Sequence, residues 1–267
     1  MPDELQPQHH QVDTLILAWM ARVSYGIGSR VILATELPIH ANIVEASFTD
    51  ADGQQLPDHI ESIHHRDETI AGIGDLVLSA RVRAITPEDV SGWTLDLHGG
   101  LSFPTGKVED NPYDLGRQKE RHQHMFFGAG TVIPTFGLTT LFDFDSLVLV
   151  ASVTGKTSLY ESSKGYQASS SVFGSVGIET GFGLEDWRFG LFQQIRHETP
   201  ASWGDELAVN SGRTDWIASV RIGWAPSPSF GLGLLVQMPY YTDTVGEQYD
   251  MPFMSSLVVR TGLDLTD

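Results

Sequence analysis

The feature that most limits how this chain can fold is a two-residue alternation of apolar and polar side chains, repeated along nearly its whole length. From Leu15 the apolar set runs Leu15, Leu17, Trp19, Ala21, Val23 and Tyr25. After a Gly-rich turn it resumes at Val31, Leu33, Thr35 and Leu37. Further runs lie at Leu76–Ala84, Trp93–Phe103, Phe136–Phe142, Leu147–Val153, Val172–Ile178, Trp187–Ile195, Trp216–Trp224, Phe230–Tyr240 and Leu257–Leu265. Such runs, about 9 to 13 residues long, match a tilted strand crossing a bilayer, whereas soluble strands are usually about 5 to 6.

The connections alternate in length. Short ones fall at Gly26–Ser29, Ile85–Gly92, Asp143–Ser146, Gly181–Glu185 and Ala225–Ser229. Long polar ones fall near Ala41–Ala71, Thr105–Phe127, Ser158–Ala168, His197–Gly212 and Thr242–Asp250. Short turns on one rim and long loops on the other are the arrangement of Gram-negative outer-membrane barrels. Tyr25, Trp93, Trp187 and Trp224 sit beside short turns, and Phe103 and Tyr240 beside long loops, where two interfacial girdles belong. The expected fold is all-β: an antiparallel transmembrane β-barrel of about 12 strands, about 11 of them visible, in one domain over residues 1–267. Because such barrels have an even strand number, one strand and an export signal are expected upstream of residue 1, in preference to a strand missed within Ala41–Ala71.

Composition removes other classes. There is no Cys, hence no disulfide framework and no thiol chemistry. The net charge of −18 repels phosphate backbones and argues against a nucleic-acid partner. No stretch has the roughly 18 continuous apolar residues of a membrane-spanning helix. Neither Gly72-Ile73-Gly74 nor Gly128-Ala129-Gly130 opens a helix in a strand–helix–strand unit, so these glycines are expected at bulges or close backbone approaches rather than phosphates. There is no Gly-x-Ser-x-Gly elbow and no His-Glu-x-x-His pair, so no enzymatic activity and no cofactor are expected. His59, His64 and His65 in one loop and His122 and His124 in another are close enough to suggest a transition metal, but they match no ligand pattern and are read as solvated.

Opposite the apolar set, the same strands carry Arg22, Arg30, Glu36, Arg81, Arg83, Asp96, His98, Lys156, Glu179, Arg188, Arg196, Asp215, Arg221, Arg260 and Asp264. In a membrane barrel these face the lumen; in a soluble barrel they would face water, and alternation alone does not separate the two. On the membrane reading Arg30, Arg81, Arg83, Asp96, His98, Arg188, Arg196, Arg221 and Arg260 line the lumen. Basic residues gather inside although the whole chain holds 34 acids to 16 bases. A basic lumen favours anions; the competing reading is a narrow barrel closed by Arg–carboxylate networks.

Several segments resemble outer-membrane proteins related to the phenol meta-degradation pathway barrel. These are Tyr25-Gly26-Ile27-Gly28-Ser29-Arg30 leading to Leu37-Pro38, Gly72-Ile73-Gly74-Asp75 with Ser79-Ala80-Arg81, and Gly100-Leu101-Ser102-Phe103-Pro104-Thr105-Gly106-Lys107. Gly128-Ala129-Gly130 with Pro134 and Gly137, and Gln237-Met238-Pro239-Tyr240 with Gly246-Glu247-Gln248, continue the series. The resemblance implies a barrel of about 12 strands serving as a transporter or channel. Two features depart from it: the chain ends Leu263-Asp264-Leu265-Thr266-Asp267 without a terminal aromatic, and Val82-Arg83 replaces the usual Tyr. The expected function is a porin-like channel for a small anionic or aromatic solute, placed in the bacterial outer membrane with lipid as its main partner. The alternative is a closed scaffold barrel whose long loops bind a partner protein or metal, and a third reading is a soluble ligand-binding barrel.

Overall fold

The computed structural model describes residues 9–56, 66–122, 124–208, 211–246 and 248–262, without the side chains of His9 and His10. The strands are β1 (His9–Ile27), β2 (Val31–Thr49), β3 (Glu68–Ile73), β4 (Leu76–Ile85), β5 (Trp93–Phe103), β6 (Ile133–Phe144) and β7 (Leu147–Lys156). They continue as β8 (Tyr166–Gln167), β9 (Ser171–Thr180), β10 (Trp187–Glu198), β11 (Ser202–Trp203), β12 (Glu206–Leu207), β13 (Arg213–Ser227), β14 (Phe230–Thr244) and β15 (Met254–Thr261). One short helix, α1 (Pro112–Arg117), lies in the connection between β5 and β6.

Every pairing in the main sheet is antiparallel, in the order β1-β2-β4-β5-β6-β7-β9-β10-β13-β14-β15. β3 and β4 pair with successive stretches of β2, at Ile39–Val44 and Val31–Glu36. They therefore act as one long strand broken by a bulge at Gly74-Asp75. Among the described residues the sheet has eleven staves and curls into an open half-barrel whose edges are β1 and β15. An antiparallel meander of eleven leaves its first and last strands parallel.

All eleven alternating runs read from the sequence lie on these strands, and the last ends sooner, at Thr261. Leu263–Asp267, including Asp264, lie outside the described residues. One expectation needs correcting. Ala41–Ala71 is not simply a loop, since β2 continues to Thr49 and β3 begins at Glu68. The alternation survives there, but its outward positions turn polar (Glu45, Ser47), which hid the extension. β3 adds no stave, because it continues β4 along the same partner.

Burial separates the membrane barrel from its soluble counterpart. Leu15, Trp19, Val23, Leu191 and Leu257 are each more than half exposed, while Asp96 is 3% and Asp215 0% exposed. A soluble barrel would show the reverse, because apolar area left in water costs about 25 cal/mol per Å². On β13 the outward residues Trp216, Ala218, Val220, Ile222 and Trp224 form an uncharged stripe. Its bounding tryptophans are eight residues apart, about 26 Å along a strand at roughly 3.3 Å per residue. At the usual strand tilt of about 35–45° this spans about 20 Å across the membrane, inside the apolar band of about 25 Å expected on an outer-membrane barrel. Trp187, Phe189, Trp224 and Phe230 continue as touching rings along the short-turn rim, and Trp93 stacks on Phe142.

On the long-loop rim, three connections pack into an ordered cap. Val108, Ala201, Trp203 and Ala208 form a small apolar core flanked by Tyr113, Phe126 and Tyr166. The three-stranded ribbon β12-β11-β8 runs through it. Lys164–Asp110 at 2.9 Å and Arg117–Glu206 at 3.3 Å tie the same loops at their surface.

Candidate functional site

The concave face of the sheet is identified by a cavity of about 360 Å³ lined from β1, β2, β4, β5, β6, β7 and β9 together. Side chains from seven strands converge on one space only on the inside of a curl. Arg22, Glu36, Arg81, His98 and Lys156 border this cavity. Strand register places Arg83, Asp96, Glu179, Arg196, Asp215 and Arg221 on the same face, since each lies an even number of positions from, or directly opposite, a cavity residue.

The charges form small clusters along the wall. Asp96 accepts from Arg83 Nε at 2.9 Å and has Arg81 Nη1 at 3.7 Å, so two arginines share one buried carboxylate. His98 next to it contacts Thr139 Oγ1 at 3.1 Å. Asp215 repeats the motif: Arg196 Nη2 donates at 2.7 Å, Arg213 Nη2 at 2.7 Å, and Thr242 Oγ1 at 2.8 Å. Arg22 pairs with Glu36 at 3.1 Å. Arg221 pairs with Glu179, with its guanidinium carbon 5.1 Å from the Phe192 ring centre. Between the two ends, Gln194 accepts from Ser219 and Gln237, each at 2.7 Å.

Three of the expected lining residues lie elsewhere than mid-wall. Arg30 belongs to the β1–β2 turn and pairs at 2.9 Å with Asp89 in the neighbouring turn. There the Arg30 hydrogen bond, aided by Thr86, holds the Asp89 carboxyl at about 2. Arg188 lies at the short-turn rim, where Nη1 donates to the Trp187 carbonyl at 2.8 Å. Arg260 is exposed on the edge strand β15, opposite Gly231.

Sequence reasoning missed two residues. Arg213 lies just outside the apolar run of its strand, but Arg213-x-Asp215 is an i, i+2 pair and so shares a face. Asp75 lay in a noted Gly-rich segment, yet its partners, the N–H groups of Gly106 and Ala129, are 31 and 54 residues away. Of the loop histidines, His59, His64 and His65 lie outside the described residues. His122 and His124 stand with ring centres 5.2 Å apart beside α1, and no metal-holding group of three or more side chains occurs among the described residues.

Strand length, inverted burial, an aromatic rim and a charged concave wall together define an outer-membrane β-barrel fold. No family model and no curated protein matches the sequence. Among solved structures, the chain is similar to an outer membrane channel from Pseudomonas putida F1. The TM-score is 0.63 at 11% identity, over 95% of this chain and 85% of that one. OmpT, an outer membrane protein of Vibrio cholerae, aligns at TM-score 0.39 and 8% identity over 90% and 89%.

Proposed function

We propose that the protein is a passive channel of the bacterial outer membrane for a small anionic or aromatic solute, related to the phenol meta-degradation barrel its motifs resemble. The observation that carries this reading is the direction of the ion pairs. Each concave-face pair lies within one strand or joins strands that are neighbours or one apart, and among the described residues none reaches across to an opposite wall. Networks of that kind stiffen a wall without filling the space it encloses. Two arginines at each of Asp96 and Asp215, with Lys156 on the same face, leave the wall net basic, which favours anions.

The test is single-channel recording of the refolded protein in planar bilayers under a salt gradient. A steady conductance with a reversal potential on the anion side is expected. Neutralising Arg81, Arg83, Arg188, Arg196 and Arg221 together should move that potential towards zero. An unchanged potential across the set refutes the anion assignment, and a protein that stays soluble without detergent refutes the membrane reading.

The ordered cap favours a second reading, in which the long loops bind a partner protein. Its Phe126–Tyr166–Trp203 core is more structure than a passive rim requires. That reading expects insertion without conductance, and partner binding that is lost when the Thr105–Phe127 and Ala41–Ala71 segments are deleted.

A further inference from the structure

Three Gly-rich segments far apart in sequence meet at one point of the wall. The bulge at Gly74-Asp75 turns the Asp75 side chain away from its strand, and the residue is 8% exposed. Its Oδ1 accepts the Gly106 N–H at 2.9 Å and its Oδ2 accepts the Ala129 N–H at 2.8 Å. Gly106 and Ala129 are the two ends of the β5–β6 connection, so one carboxylate gathers both. Thr105 fills the bulge itself. Its hydroxyl accepts from the Leu76 N–H at 2.9 Å and donates to the Gly74 carbonyl at 3.0 Å. The two loop ends touch backbone to backbone, since a Cβ on Gly128 would run into the Gly106 carbonyl.

Beyond this clasp, the returning end of the loop lies on the inner wall. The Phe127 ring stacks on His40 with centres 4.8 Å apart, and Met125 Sδ lies 3.6 Å from Asn42 Nδ2. His40 and Asn42 stand four and six residues along β2 from Glu36, hence on the same face as the cavity-lining Ile32, Ala34 and Glu36. The loop segment therefore sits inside the curl, along the wall from the Arg81–His98 cavity.

We propose that Asp75 is a positioning residue of the passage: by clasping both ends of the β5–β6 loop, it holds residues 125–128 against the inner wall and so sets the width open to solute. This rests on the channel reading above. Asp75 touches no solute on this account and acts through the loop it holds.

The experiment compares single-channel conductance of the full chain with Asp75→Ala and Asp75→Asn, after the heat-shift of each folded barrel on gels has verified insertion. Loss of the clasp frees the loop to move off the wall. Asp75→Ala should then change the open level by about twofold and add slow level-to-level noise. Asp75→Asn, which keeps an acceptor for only one of the two N–H groups, should lie between. The native chain has no cysteine, so His40→Cys/Phe127→Cys can be introduced cleanly into the Asp75→Ala background. Bridging that pair with a short bis-methanethiosulfonate reagent should restore the wild-type level, and dithiothreitol should abolish the restoration. Asp75→Ala and Asp75→Asn currents identical to a conducting wild type overturn the clasp while leaving the channel intact. A silent wild type with a conducting Asp75→Ala supports the clasp, as the element that closes the passage. Silence of wild type and all variants overturns the clasp and the channel together.

Discussion

Asp215 is the sharpest place to test whether the concave wall is held by ion pairs that depend on one another. The carboxylate is fully buried and takes donors from Arg196, Arg213 and Thr242. Asp215→Ala leaves Arg213, only 7% exposed, with a buried charge and no carboxylate partner in this cluster, whereas Arg196 at 24% can hydrate. Breaking one side of a buried ion pair costs about 3 to 5 kcal/mol, and most of that should come from Arg213. Losing the Thr242 bond adds about 1 kcal/mol. The single variant should therefore lower unfolding free energy by about 4 to 6 kcal/mol, measured by urea titration of the barrel in lipid vesicles with tryptophan fluorescence. Replacing the stranded partner as well, in Arg213→Met/Asp215→Ala, should recover about half of the loss, because no unpaired buried charge remains. A single-variant cost below about 1 kcal/mol, or a double variant whose cost is the plain sum of the two singles, refutes the reasoning.

Other outcomes follow from the same geometry. Val220→Lys puts a charge in the middle of the outward stripe between Trp216 and Trp224; it should cost about 2 to 4 kcal/mol in vesicles, and a neutral result would mean the convex face does not meet lipid. The Asp89 carboxyl is held at about 2 against an ordinary 3.8, so the turn-to-turn contact with Arg30 contributes stability that is present above about 3.8 and lost as pH falls through about 2. Acid titration of unfolding should therefore show a wild-type decline over that window which Asp89→Asn flattens; matching curves would refute it. Trp203→Ala removes the centre of the loop cap and should expose residues 199–208 to protease while leaving the heat-stable barrel intact, and unchanged cleavage kinetics would contradict a shared cap core. Gly128→Ala drives a methyl group into the Gly106 backbone, where nothing flexible can yield, and should cost about 1 to 3 kcal/mol by the same urea assay; a cost near zero would mean the two loop ends do not touch as described.

Much of the wall was legible from sequence because a strand's two-residue period maps directly onto two faces. Arg81, Arg83, Asp96 and His98 share a face by parity alone, and their cross-strand pairing Arg83↔Asp96 and Arg81↔His98 follows once the short turn joins the strands. Arg30 shows where parity stops. At a turn the backbone leaves the pleat, so its side chain turned to Asp89 in the next turn rather than continuing the row. The extension of β2 past Leu37 was obscured for a related reason. Above the membrane the outward positions meet water and turn polar, and the apolar half of the alternation disappears although the strand does not.

The sequence by itself determined the strands, their turns and the sorting of side chains to two faces, because these depend on neighbours along the chain. It left open which face turns inward, since an apolar face can meet either a core or lipid. Only the curl of the sheet decided that, by gathering side chains of seven strands, with Arg22, Glu36, Arg81 and Lys156 among them, around one cavity and leaving Trp19, Val23 and Leu191 outside. Tertiary structure alone also produced the clasp of Asp75 on Gly106 and Ala129 and the cap around Trp203. Both join residues many tens of positions apart through backbone N–H groups and ring edges, which every residue or many residues can offer, so no local pattern marks them in advance.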